Sequence, residues 1–227
     1  MKKLLFILFA FTVAMPSFAQ EKKSGSFVSV NVGGGAGSFN PSIKSKVTTT
    51  YSDGKKEENR EGYKFKYDAI NFFADVEYTF NGFTTLFEGC YGQAKNGEWE
   101  MKTKVTNPLV KLDESKFEDK ASFYSGSVYI GPILFPKKRF QMPILGGIGL
   151  TYNDGEPFNK LSFDFCYKVR AKFYITRNVG LFAGVSGNIG IAGDTEVLGG
   201  KEDDKADITM HRLSFEGGLT VMLGRKK

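Results

Sequence analysis

Apolar residues fall at every second position in runs of ten or more through most of this chain. The longest run covers 161–175. Leu161, Phe163, Phe165, Tyr167, Val169, Ala171, Phe173 and Ile175 alternate there with Ser162, Asp164, Cys166, Lys168, Arg170, Lys172 and Tyr174. A strand points successive side chains to opposite faces, so a period of two predicts one apolar and one polar face. The same alternation predicts eight strands, at about 26–38, 68–80, 84–94, 122–134, 140–152, 161–175, 179–192 and 208–223. The links between them alternate in length. Short turns fall at Asn81-Gly82, at Pro136 to Arg139 and at Thr176 to Asn178, and long polar links at 40–67, 95–121, 153–160 and 193–207. Asn-Gly suits a two-residue hairpin, because both residues tolerate positive φ. Four long and three short links in strict alternation are what an up-and-down barrel with both termini on one side requires.

Two segments fit less simply. Tyr63, Phe65 and Tyr67 are apolar on odd numbers, whereas the run after Asp68 is apolar on even numbers. Either a bulge absorbs the slip, or the strand starts later. Glu98 to Val105 also alternates weakly and reads as a hairpin arm projecting past the barrel, with Trp99 as a packing or interface residue. Counted as spanning strands, it raises the total to ten.

The solvent of the apolar face decides the fold class. Its ends are aromatic: Tyr78, Phe80, Phe135, Phe140, Tyr152, Phe163 and Phe173. Such residues form girdles at bilayer interfaces. The opposite face stays polar at mid-strand and rich in glycine, which suits a narrow barrel interior. An open sheet edge cannot exist in hydrocarbon, so the sheet must close. The expected fold is therefore a closed antiparallel transmembrane β-barrel, eight-stranded with ten as the alternative. The short turns belong on the periplasmic side and the long loops outside.

The inward faces then collect charge. Asp75, Glu77, Glu88, Asp164 and Glu216 oppose Lys168, Arg170, Lys172 and Arg212. Buried charges must pair. Counting up from the short turns places Asp75, Glu77, Glu88 and Arg170 at similar depth, with Glu216 close by. The expectation is a plug of ion pairs centred on Arg170. Charges lining a small water-filled pore are the alternative.

The N-terminus reads as a secretory signal peptide over 1–19: basic Lys2 and Lys3, apolar Leu4 to Met15, then Ser17-Phe18-Ala19 before Gln20. The barrel domain is then 20–227. Removing Lys2 and Lys3 takes the formal net charge from +6 to +4, a mild excess that does not point to nucleic acid. Cys90 and Cys166 match no metal spacing and fall on strands that are not neighbours, so free thiols are expected.

Together with the Gly-rich segments Tyr129-Ile-Gly131-Pro132 and Leu145 to Tyr152, these features resemble the small outer-membrane β-barrel family of Gram-negative bacteria, the group related to OmpA, OmpX and OmpW. The resemblance covers nearly the whole chain after 19. It implies an outer-membrane location, contact with membrane lipids and lipopolysaccharide, insertion by the barrel assembly machinery and a monomeric state. Many such barrels end in an aromatic residue recognised during assembly. This chain ends Val221-Met222-Leu223-Gly224-Arg225-Lys226-Lys227 instead.

The family includes structural barrels, adhesins, pores and a few enzymes. Catalysis of the hydrolase kind needs a His within reach of a Ser. The single His211 lies three residues from Ser214, hence on the opposite face, and the loop acids Asp203 and Asp204 read as solvated. No catalytic, metal or cofactor residue is assigned. Two classes remain: a structural or interaction barrel, whose mixed-charge loops offer an unidentified extracellular ligand a surface, and a narrow porin-like pore. A lipid-modifying enzyme is a distant third.

Overall fold

A computed structural model describes residues 26–50, 52–103, 117–136, 139–155, 160–192 and 205–223. The expected signal peptide, 1–19, and the loop acids Asp203 and Asp204 lie outside them. Among the described residues the strands are β1 (Phe27–Thr50), β2 (Lys56–Phe80), β3 (Phe83–Thr103), β4 (Ala121–Leu134), β5 (Phe140–Asp154), β6 (Lys160–Tyr174), β7 (Val179–Ala192) and β8 (Lys205–Leu223). Each pairs antiparallel with the next, and β8 returns to β1, closing the barrel. Ten strands are not needed. The Asn81-Gly82 turn takes positive φ at both residues, 51° and 84°, so the chain reverses within two residues without splaying β2 from β3.

Closure has a measurable stagger. Following paired residues round the barrel from Ser29 leads through Glu77, Leu86, Tyr129, Gly147, Cys166, Asn188 and Arg212 to Phe39. The path regains β1 ten residues along from where it left. This shear fixes the strand tilt and decides which lumen side chains share a level.

The exterior carries an apolar belt. On β2 the exposed side chains Ile70, Phe72, Val76, Tyr78 and Phe80 run from the charged Asp68 to the turn. Eleven residues at about 3.3 Å each, tilted by roughly 40°, cover about 25–28 Å, the height of a lipid-facing band. The predicted girdle residues Tyr78, Phe80, Phe135, Phe140, Tyr152, Phe163 and Phe173 are all exposed. Apolar surface of this extent suits hydrocarbon, not water.

Four strands are longer than their alternation predicts. The expected loop 40–67 is mostly a hairpin, in which β1 continues to Thr50 and β2 resumes at Lys56. Strand β3 runs on to Thr103, and β8 starts pairing at Lys205. Together β8, β1, β2 and β3 project beyond the belt as a four-stranded sheet.

The parity change around Tyr67 resolves within this arm. From Tyr63 on, odd residues of β2 point inward: Tyr63, Phe65 and Tyr67 are as buried as Asp75 and Glu77. The strand does not flip. Its apolar residues change sides, because water replaces lipid outside the arm and a core replaces charges inside it. Register shifts do occur between β2 and β3, near Gly62 and Lys66, but the extra residues lie on β3. One of them, Asn96, takes φ 57°, a left-handed conformation that Asn adopts more readily than most.

Inside the arm, Phe39, Ile43, Tyr63, Phe65, Tyr67, Phe117, Ile208 and Met210 form one apolar cluster above the lumen. At the turn end Phe27, Ile133, Tyr174 and Met222 form another. Trp99 packs edge-on to Phe117, ring centroids 5.6 Å apart, beyond the exposed charges Asp68 and Lys95. In reconstituted barrel, Trp99 fluorescence is therefore expected to be quenched by aqueous acrylamide and spared by lipids brominated deep in the acyl chain. Strong quenching by the brominated lipids would place the arm inside the bilayer and contradict this architecture.

Candidate functional site

The most chemically loaded region is the lumen between the two apolar clusters. Polar residues reach it because the inward face of each strand is an alternate set of positions. On β6 these are Ser162, Asp164, Cys166, Lys168, Arg170, Lys172 and Tyr174, all buried.

Arg170 occupies the centre. Its Nη1 donates to Asp75 Oδ2 at 2.6 Å, and its Nη2 donates to Glu88 Oε2 at 3.2 Å and Glu216 Oε2 at 3.3 Å. The guanidinium is flanked by the Phe73 and Phe182 rings, whose centroids lie 4.8 and 4.6 Å from Cζ. Both rings need the missing side chain of Gly33. A Cβ there would lie 2.8 Å from Phe73 Cζ and 2.9 Å from Phe182 Cζ. One level towards the loops, Lys168 bridges Glu88 and Glu216, 3.3 Å from Glu216 Oε1. One level towards the turns, Lys172 pairs with Glu77 at 2.5 Å and donates to Asn31 Oδ1 at 3.2 Å. Asn31 in turn donates to Asp75 at 2.5 Å, Ser186 to Glu216 at 2.5 Å and Tyr129 to Glu88 at 3.3 Å.

Asp164 and Arg212 stand apart from this group. Arg212 Nη2 donates to Asp164 Oδ2 at 2.7 Å and packs over the Phe123 ring at 4.5 Å. Thr151, Ser162 and Asn188 also donate to Asp164, at 2.5, 2.8 and 3.1 Å. Between the two groups lies a cavity of about 30 Å³ lined by Asn71, Cys90, Ser125, Ser186, Asn188 and Ser214, room for about two water molecules. Thus the nine charged residues named from sequence all face the lumen, but they form two clusters. Sequence reasoning did not single out Asn31, Thr151, Ser162, Ser186 and Asn188 as partners. Their inward parity was readable, whereas their neighbours across the lumen depend on the stagger.

Other chemistry is sparse. His211 is exposed on the outer face, whereas Ser214 points inward and donates to Asn71 Oδ1 at 2.9 Å, so the two do not form a dyad. Cys90 and Cys166 are free thiols, and Cys166 is buried. Among the described residues no group of His, Cys, Asp and Glu is arranged to hold a metal ion. Above the belt, Tyr67 donates to the Glu118 carbonyl at 3.0 Å. Burial, with the charges of Glu118 and Asp119 adding, pushes its phenol up to about 12, so it remains a donor across the physiological range.

No protein-family model and no curated protein sequence matches the chain. Solved structures do resemble it. OprG from Pseudomonas aeruginosa shares 13% identity over 88% of this chain and 97% of its own, with a TM-score of 0.49. Neisserial surface protein A shares 15% over 88% and 99%, with 0.43. Ail of Yersinia pestis shares 15% over 86% and 99%, with 0.33. At these scores the likeness carries no weight for activity or ligand. The eight-stranded closure stands on the pairing of this chain's own strands.

The central cluster sets three carboxylates, Asp75, Glu88 and Glu216, against two cations, Lys168 and Arg170. The pairs Lys172–Glu77 and Arg212–Asp164 are balanced. One negative charge in the centre is thus in surplus, which the interior opposes. Arg170→Ala removes the group that all three acids share and is expected to cost about 3–5 kcal/mol. Glu88→Gln removes the surplus charge and leaves Glu216 to pair with Lys168, so it should cost clearly less than Arg170→Ala. Urea unfolding in detergent, followed by gel mobility without boiling, measures both. A Glu88→Gln loss as large as that of Arg170→Ala would contradict the surplus.

Proposed function

We propose that this chain is an integral outer-membrane barrel with a closed lumen, serving a structural or surface-interaction role without catalysis. The observation that carries the closed lumen is burial at mid-depth. Lys168, Arg170, Lys172 and Glu77 are 0% exposed and Asp75 is 2% exposed. Charges lining a water-filled pore would be wetted, as porin interiors are. Here they are consumed in pairing, and apolar clusters close both ends. The height of the apolar belt and the asymmetry between short turns and the projecting arm support the membrane setting.

The surface role rests on the arm. Its outer face presents Lys44, Lys64, Lys66, Glu98 and Glu100 to solvent, while its inner face is anchored by Tyr63, Phe65 and Phe117. A rigid sheet with charges on one side suits contact with lipopolysaccharide or with a partner outside the cell.

Single-channel recording in planar bilayers tests the closed lumen. Wild type should show no steady conductance. Arg170→Ala, which leaves three acids around an emptied space, should admit water and leak. Steady, large conductance by the wild-type protein would overturn the reading in favour of a narrow pore.

A further inference from the structure

The two ends of the barrel differ in charge. Beyond the loop-side edge of the belt, exposed bases and acids are mixed: Lys64, Lys66 and Lys95 sit among Asp68, Glu98 and Glu100. At the turn side the exposed charged residues that the structure describes are Arg139 and Arg177. The sequence shows the same bias. Segments 133–142, 173–181 and 220–227 contain Lys137, Lys138, Arg139, Arg177, Arg225, Lys226 and Lys227 and no acid, and residues 20–26 ahead of β1 add Lys22 and Lys23 against Glu21. Neither Arg139 nor Arg177 has an ion-pair partner among the described residues.

These two arginines lie beside each other in the order of the turns, joined through the β5–β6 pairing. The Arg139 carbonyl accepts from Tyr174 N at 2.9 Å, three residues before Arg177. The turn carrying Arg177 is tied by Thr176 Oγ1, which accepts from Val179 N at 3.0 Å, and by Ile175 N donating to Val179 O at 3.0 Å. Phe135, Phe140 and Phe173 at the adjoining strand ends are exposed, with Phe140 paired with Phe173 and the Phe135 and Phe140 ring centroids 6.0 Å apart. Aromatic girdles flank the apolar band of a barrel at the bilayer interface, so a rim carrying Arg139 and Arg177 lies level with the headgroups. Guanidinium binds phosphate through paired N–H donors.

We propose that the turn-side rim binds the phosphates of anionic phospholipids through Arg139 and Arg177, in the leaflet that the turns face. The inference rests on the reading that the barrel spans a membrane. Each basic residue near an anionic lipid surface contributes about five-fold in affinity, so two removed together should cost on the order of 25-fold.

The purified barrel is folded in mixed micelles holding equal phosphatidylglycerol and phosphatidylcholine, and the lipid that copurifies is measured. Wild type should retain phosphatidylglycerol preferentially, and less so as salt rises. R139Q/R177Q should lose most of the preference, while the loop-side variant K95Q/K120Q, at two exposed lysines, keeps it. No preference in wild type, an unchanged preference in R139Q/R177Q, or an equal loss in K95Q/K120Q would each overturn the proposal. Heat-modifiable migration of the same samples separates the two readings. A chain that never shows it undermines the membrane setting itself, whereas a folded barrel indifferent to lipid charge refutes only the rim.

Discussion

Closure with a ten-residue stagger is the constraint on which everything else in this barrel depends. In hydrocarbon each backbone donor and acceptor must be satisfied by the sheet itself, so the eighth strand has to meet the first. Where it meets it is set by register. Val28 pairs with both Tyr78 and Leu223, and the offset accumulated round the ring fixes the tilt. The tilt in turn decides that Arg170 of β6 reaches Asp75 of β2, Glu88 of β3 and Glu216 of β8. With the side chains unchanged, a different stagger would leave these charges facing uncharged neighbours, at a cost of several kcal/mol per isolated ion.

The second organising fact is that the chain crosses from one solvent to another. Within the belt the molecule is inverted, with Phe72 and Val76 outside and Asp75 and Glu77 inside. Above it the same strand reverts to the ordinary arrangement, with Tyr63 and Phe65 inside and Lys64 and Lys66 outside. The backbone geometry is continuous, because strand parity is indifferent to what lies on either side. The crossing point, between Asp68 and Ile70, marks the bilayer edge as clearly as an aromatic girdle does. It also produces the upper seal, since the core of the arm sits on top of the Asp164–Arg212 cluster.

Layering gives the lumen its character. An apolar base, a charged centre, a small polar cavity, a second charged pair and an aromatic cap follow one another along the axis. Glycine positions matter where these layers touch. Gly33 makes room for the rings beside Arg170, and a Cβ at Gly92 would overlap Phe123, the ring under Arg212. This stack is what the proposed closed lumen rests on.

Much of this was legible in the residues alone. Period-two alternation from Leu161 to Ile175 needs no tertiary information, because side-chain direction in a strand is local. The same holds for the Asn81-Gly82 turn and for the inward parity of the nine charged residues. The length of β1 to β3 was less legible. Residues 40–67 are polar and carry turn-like composition, and their strand character comes from mutual pairing and from Phe117 packing beneath them, which are non-local. Likewise the division of the charges into two clusters and the partners Asn31 and Ser186 follow from register across strands distant in sequence. The sequence by itself determined which face of each strand a side chain occupies. Only the tertiary structure decided which faces meet, because the stagger of closure is a property of the whole ring and of no single strand.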